Sequence, residues 1–316
     1  MMIDELRKEL KEVGENKILE EVTSFKVGGV ADFYYIAQTL DDLVKAINLA
    51  RKLKLPFFVM GRGTNIVVSD FGFPGLWIEN RSSNLVFLED KSQMVVDSGV
   101  ILQRAIMEAA SHDLSGLESL YGIPGTLGGA VYGNAGSRGA EIGSFVKYAT
   151  LLTKEGKIVR YPQEWFGFDY RSSRLKREQE RFAKEDGTII LSICLQLLRN
   201  KKEDIMERMG GAIKWRQAHQ PLGARSAGSI FKNPAGQMSP EDQRKAAGFL
   251  LESVGAKKMK VGGAVVCSRH ANFIINKNGK ATASDIRQLI DQLRDKVKKQ
   301  DDITLEEEVE YVGRWR

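Results

Sequence analysis

GIPGTLGGAVYGNAG, residues 122–136, carries six glycines, one proline and no charged side chain. Glycine at this density prevents any long helix or strand from persisting, and a loop left in solvent would have little use for Ile123, Leu127 and Val131. What such a segment offers a ligand is backbone N–H groups, which suit a pyrophosphate beside a flat aromatic ring. No Gly-Lys-Ser/Thr follows, so this is not a P-loop, and it is not a G-x-G-x-x-G opening a helix. A shorter glycine loop, GRGTN at 61–65, comes directly after the apolar run LPFFVM (55–60). Its glycines let the backbone approach a phosphate closely, and Thr64 and Asn65 add polar groups.

Outward from these loops the chain reads as mixed α and β. Apolar spacing predicts a short amphipathic helix over Ile3–Val13 and a longer one over Leu40–Leu53, with a strand at 31–37 between them. LPFFVM is a buried strand, and short strands follow at LWIEN, LVFLE and MVVDSG. A helix is predicted over Leu102–His112. ATLLT and KIVRY flank Glu155-Gly156 as a hairpin, TIILSICLQLL (188–198) is an apolar strand, and Lys201–Gln217 is a polar connecting helix. Past a boundary near Pro221 the pattern is α+β: a helix around Pro240–Val254, strands at GAVV and NFIIN, a helix over Ala283–Gln300 and a final strand TLEEEVEYVG.

With 316 residues and 42% apolar content the chain can build two or three ordinary cores without staples. Cys194 and Cys267 share no metal or disulfide spacing, and His112 and His219 have no partner pattern, so no metal is expected. The amino-terminal MMIDELRKELKEV lacks an apolar core and no stretch is long enough to span a bilayer, which points to a cytoplasmic protein. The net charge of +6 favours anionic ligands, yet the basic residues fall on helical stretches such as 294–299 without interleaved aromatics. Nucleic-acid binding is therefore not expected.

SFKVGGVAD, GRGTN, GIPGTLGGAVYGNAG, FDYRSS, RSAGSIFKNP, HANFIIN and LEEEVEYVG occur in this order from about Phe25 to Gly313. Together they resemble the UDP-N-acetylenolpyruvoylglucosamine reductase (UDP-N-acetylmuramate dehydrogenase) family. The resemblance implies an α+β chain with the FAD-binding fold of the vanillyl-alcohol oxidase type in two subdomains, residues 1–81 and 82–220. A C-terminal α+β substrate domain follows at 221–303, with 304–316 returning to the first subdomain. It implies that NADPH reduces the flavin, which in turn reduces the enolpyruvyl ether of UDP-N-acetylglucosamine enolpyruvate to UDP-N-acetylmuramate for peptidoglycan. The stretch between Gly187 and Gly228 is too short for the lid insertion of one branch, so the compact type is implied, as a monomer. Ala37 replaces the family's usual proline and Thr64 its commoner serine, while VGAKKMKVGGA matches only loosely.

The chemistry of reducing an enolpyruvyl double bond defines three roles for side chains and cofactor. Hydride must reach one carbon, a proton the other, and the carboxylate must be stabilised as enolate charge collects on it. The resemblance places Arg171 of FDYRSS at the carboxylate, and its planar fork of donors suits that task. Strand alternation in LEEEVEYVG puts Glu306, Glu308 and Glu310 on one face and cannot choose among them. The family motif chooses Glu308, which directly precedes the valine. It also makes Ser229 of SAGSIFKNP the proton donor, a role that requires a strongly basic enolate within reach of a poor acid.

The expected flavin-binding positions are Gly61, Gly63, Thr64 and Asn65 in the first loop, and Ile123, Pro124, Gly125, Thr126, Gly128, Gly129, Asn134, Ala135 and Gly136 in the second. No His or Cys lies in either loop, so the FAD is expected to be held non-covalently. Substrate contacts are expected at Arg216, Gln220, Arg225, Lys232, Asn233, His270 and Asn272. Rival readings are a flavin oxidase or dehydrogenase of the same fold with another substrate, and a nucleotide-binding protein without catalysis.

Overall fold

Two capping boxes set the ends of the main helices. In the computed structural model, which describes residues 2–181, 187–234 and 246–315, Thr39 accepts from the Asp42 N–H and Asp42 returns a bond to the Thr39 N–H, opening the helix Leu40–Lys52. Leu43, Ala46, Ile47 and Ala50 then face the core at helical spacing. Thr282 and Asp285 do the same for Ala283–Asp301, whose buried stripe is Ile286, Leu289, Ile290, Leu293 and Val297. Asp70 adds a second cap there, accepting from the N–H groups of Ala283 (2.8 Å) and Ser284 (2.9 Å).

The chain divides into two units, one of residues 1–15, 33–62 and 75–215, the other of 16–32, 63–74 and 216–316. A four-stranded sheet has the order Gly14–Ile18, Val30–Ala37, Phe73–Asn80, Phe57–Met60, and its last pair is parallel with Phe57 opposite Leu76. The first unit holds a five-stranded antiparallel sheet in the order Ile158–Pro162, Val146–Leu152, Ile189–Gln196, Gln93–Asp97, Leu85–Leu88. Helix Leu102–Ser111 and the short helix Leu127–Tyr132 join its core through Leu102, Ile106, Leu127 and Val131. The second unit is built on an antiparallel sheet of Lys260–Val261, Ala264–Val266 and Ile274–Asn276, covered by helices Ala247–Ser253 and Ala283–Asp301. In it Ile66–Val68 runs parallel to Glu310–Val312.

Most elements fall where the spacing puts them, and the departures have local causes. The first helix stops at Glu9 instead of Val13, because the chain turns at Leu10 and Val13 to start the strand at Gly14. Pro56 lacks an N–H, and the strand begins at Phe57. Glycine does not exclude a helix from the long loop: Thr126 caps one of six residues, Leu127–Tyr132. The final strand is cut to Glu310–Val312. The part of the Pro240–Val254 helix that precedes residue 246 lies outside the described residues, and beyond it Ala247–Ser253 is helical.

One buried carboxylate of the first unit gives a pH-dependent share of stability. Glu118, 7% exposed, accepts from Ser115 Oγ (2.8 Å), Gly116 N–H (2.7 Å) and Arg208 Nη2 (2.8 Å). Burial pushes its carboxyl up, but Arg208, Ser115 and the backbone N–H groups outweigh that and hold it below its ordinary value of 4.5. A lowered carboxyl stabilises the fold above the unfolded-state value, and the stability is lost as pH falls through the folded one. Glu118→Gln is expected to cost about 1–3 kcal/mol at neutral pH. The gap from the unsubstituted protein should close in acid, as denaturant melts at several pH values would show; a constant gap would contradict this.

Candidate active site

In the first unit, Gly61 and the long glycine loop form a surface poor in side chains. An ideal Cβ on Gly61 would fall 2.4 Å from Thr126 Oγ1, so only glycine lets the two loops come this close. The long loop is not a bare cradle of amides. Leu127 N–H donates to Val100 O (2.8 Å), Gly128 N–H to Ser98 O (2.9 Å), and Gly129 N–H to Thr126 Oγ1 (3.3 Å). Leu127, Val131 and Asn134 are buried, while Pro124 and Gly129 are exposed and Gly125 is held at φ 131°. What faces outward at 123–125 and 129 is an uncharged surface with one proline and one half-buried isoleucine. That composition fits a flat ring and a phosphate chain, the two parts of a flavin dinucleotide.

Arg171 lies in the same unit, on a tight turn closed by Asp169 N–H to Ser172 O (3.1 Å) and Ser172 N–H to Asp169 O (3.0 Å). Its φ is 52°, a left-handed conformation that costs a side-chain-bearing residue about 1–2 kcal/mol. The surrounding bonds hold it there. Arg171 Nη2 donates to Gly136 O at 2.7 Å, and Arg177 Nη1 donates to Ser172 Oγ at 3.1 Å. Asn134, wholly buried, donates to Glu141 Oε2 and to Asp169 O, each at 2.8 Å, and accepts from Gly143 N–H at 3.0 Å.

The second unit holds Gly63, Thr64 and Asn65 and the other chemical candidates. Ser229 follows Gly228 at φ 83° and bridges Phe273, and the next two residues, Ile230 and Phe231, are each 1% exposed. Phe231 pairs antiparallel with Glu307, so Glu308 N–H reaches Ile230 O at 2.7 Å. Two residues later the chain changes partner. Glu310 N–H goes to Asn65 O (3.0 Å), and Asn65 Nδ2 donates to Glu308 O (3.0 Å). Glu308 therefore sits between two pairings and off any regular strand, so the two-face alternation expected for 306, 308 and 310 does not apply. Its backbone is held from both sides, one residue from the Ser229 segment.

The remaining candidates divide by what their side chains already hold. Asn272, 4% exposed, accepts from Phe231 N–H (2.9 Å) and donates to Phe231 O (2.8 Å), while its own carbonyl accepts from Ile230 N–H (2.9 Å). It pins the serine segment. His270 Nδ1 accepts from Asn272 N–H (3.2 Å), which places the ring proton on Nε2. Burial, then the charge on Lys257, pulls His270 below the ordinary imidazole value, so the neutral ring persists. Lys232 pairs with Glu306, its side chain 11% exposed against 71% for the partner. Asn233 Oδ1 accepts from Ala247 N–H (3.1 Å) at the head of helix Ala247–Ser253. Arg216 is 5% exposed and donates to Gln220 Oε1 (3.2 Å), and Arg225 is exposed with its carbonyl on Asn276 N–H (2.9 Å). Asn276, Glu141 and Asp169 were not singled out by pattern. A polar residue ending the apolar run NFIIN is the signal for the first: Asn276 Nδ2 holds Phe25 O and Lys26 O, both at 3.0 Å.

Among the described residues no helix is long and apolar enough to cross a membrane, and no group of three or more His, Cys, Asp or Glu is placed to hold a metal ion.

Residues 31–161 match a family described as an FAD binding domain, and 220–312 match the UDP-N-acetylenolpyruvoylglucosamine reductase C-terminal domain. The chain has the FAD-binding fold and is a flavin-dependent oxidoreductase. A UDP-N-acetylenolpyruvoylglucosamine reductase of Syntrophomonas wolfei is 37% identical over 300 residues, covering 94% of each chain. One of Lachnoclostridium phytofermentans is 35% identical over 302 residues, 94% of this chain and 92% of the other. The crystal structure of the Thermus caldophilus reductase superposes with a TM-score of 0.75 at 32% identity, covering 94% of this chain and 98% of that one. The chain belongs to the UDP-N-acetylenolpyruvoylglucosamine reductase family, as the order of its motifs implies.

Proposed function

We propose that the protein uses NADPH to reduce the enolpyruvyl ether of UDP-N-acetylglucosamine enolpyruvate to the lactyl ether of UDP-N-acetylmuramate. The observation that carries this reading is the pairing that ties Glu308 to the Ser229 segment, two polar residues the reaction needs and ordinary strand packing does not. In this reading residues 1–81 with 304–316, and 82–220, hold the flavin, and 221–303 the sugar nucleotide. Gly61, the uncharged face around 123–125 and Gly129 would hold the FAD. When bound, FAD supplies the hydride equivalent at N5. Arg171 holds the substrate carboxylate and stabilises the charge that collects on it as the double bond is reduced. Glu308, in its acid form, donates to the same charge. Ser229 Oγ delivers the proton to carbon, and Lys232, three residues further along the chain, opposes the negative charge left on the oxygen. Asn272 and His270 act by holding the serine segment in place.

The visible spectrum of the purified protein is the test. It should show a bound flavin that NADPH bleaches without air and that UDP-N-acetylglucosamine enolpyruvate, and not UDP-N-acetylglucosamine, recolours. A flavin that NADPH bleaches but this enolpyruvyl ether leaves reduced would overturn the assignment.

A further inference from the structure

The glycine loop and the Arg171 turn are joined at two points, and both joints lie inside the first unit. Gly136 O takes the N–H of Arg171 Nη2 at 2.7 Å, and there is no space for anything larger than glycine at that position: its ideal Cβ would lie 2.9 Å from Arg171 Nη1 and 2.8 Å from Glu141 Cγ. Two residues earlier, Asn134 is wholly buried at φ 46°. A carboxamide has two N–H donors, and Asn134 directs one to Glu141 Oε2 and one to Asp169 O, both at 2.8 Å. Its oxygen accepts from Gly143 N–H at 3.0 Å. The side chain has no N–H left for a ligand. Asp169 O is the same carbonyl that accepts from Ser172 N–H to close the turn. The pull on it therefore sets the turn on which Arg171 stands in its left-handed conformation.

We propose that Asn134 is a positioning residue that acts through Arg171: its carboxamide fixes the Asp169–Ser172 turn while Gly136, on the same loop, aims the guanidinium. The inference rests on the reading of Arg171 as the group that holds the substrate carboxylate. Glu141 serves as the anchor that keeps the Asn134 carboxamide from flipping, because only an acceptor fits opposite that N–H. A fork that must meet a planar carboxylate in two places tolerates little rotation, so a loosened turn would cost rate without emptying the flavin site.

Asn134→Asp keeps the shape and replaces both donors by oxygen, facing a carboxylate and a carbonyl. It is expected to slow reoxidation of the reduced flavin by the enolpyruvyl substrate about ten- to a hundredfold, with flavin content and the rate of reduction by NADPH retained. In an Arg171→Ala background the same substitution should give no further loss, the mark of two groups acting as one. Losses that multiply in full, or that fall equally on both half-reactions, would overturn the positioning role. Should Asn134→Asp fail to fold, Glu141→Gln reads the same link: a smaller loss in reoxidation alone, absent in Arg171→Ala, supports it, and a loss that multiplies overturns it. Arg171→Ala by itself separates the two claims. If it leaves reoxidation unchanged, the carboxylate-binding reading fails and the positioning role with it; if it slows reoxidation and Asn134→Asp does not, the positioning role alone fails.

Discussion

Ser229→Ala is expected to slow reoxidation of the reduced flavin by UDP-N-acetylglucosamine enolpyruvate by about 10²–10⁴-fold, the usual worth of a positioned general acid, and to leave reduction by NADPH nearly as fast as before. The proton is needed only in the second half-reaction, so the two rates, read separately by stopped flow at the flavin band, must part company. Stability should hardly change. Ser229 is half-buried, its backbone is fixed by the bridge to Phe273, and the two residues that follow it are already in the core. The neighbouring Gly228, at φ 83°, supplies the turn, and alanine at 229 does not disturb it. Equal losses in both half-reactions would show instead that the hydroxyl holds structure or both ligands.

Much of this chain could be read from spacing because its helices and strands are made by local rules. The capping pairs Thr39/Asp42 and Thr282/Asp285 and the Glu155-Gly156 turn are each visible within a few residues. What spacing could not deliver were the roles set by partners far away in sequence. Alternation put Glu306, Glu308 and Glu310 on one face and could not choose among them, and in the fold it does not hold, because the segment changes partner from Phe231 to Ile66–Val68 within three residues. Asn134 and Asn272 read as ligand-binding carboxamides from their neighbours. In the fold each is committed to backbone 35 and 41 residues away. The long glycine loop was legible as a surface poor in charge. Its short helix was not, since Thr126 is a modest cap and Gly128 and Gly129 oppose helix; the bonds from Leu127 and Gly128 to Val100 and Ser98 decide it.

Asn272→Asp should be the costlier change for the fold, at about 3 kcal/mol near neutral pH. The carboxamide now answers both the N–H and the C=O of Phe231, at 2.9 and 2.8 Å, in a site where Phe231 is 1% exposed. With aspartate the first bond survives. The second becomes a carboxylate oxygen against a carbonyl, so a buried acceptor loses its donor and a charge enters an apolar core. Burial raises the introduced carboxyl, and a raised carboxyl contributes its penalty only in the charged form. The loss should therefore fade as pH falls through the carboxylate range and be complete above it; the gap narrows in acid as for Glu118→Gln, but here because the penalty on the variant is relieved, not because the original loses a stabilising carboxylate. Denaturant melts across that range measure the first effect, and flavin reoxidation measures a second. Because Phe231 stands two residues from Ser229, the surviving folded protein should reoxidise its flavin slowly while still accepting electrons from NADPH. A variant as stable as the original, but weak in binding the sugar nucleotide, would instead make Asn272 a direct ligand, and the serine segment would then be pinned by its backbone pairings with residues 272, 273 and 307.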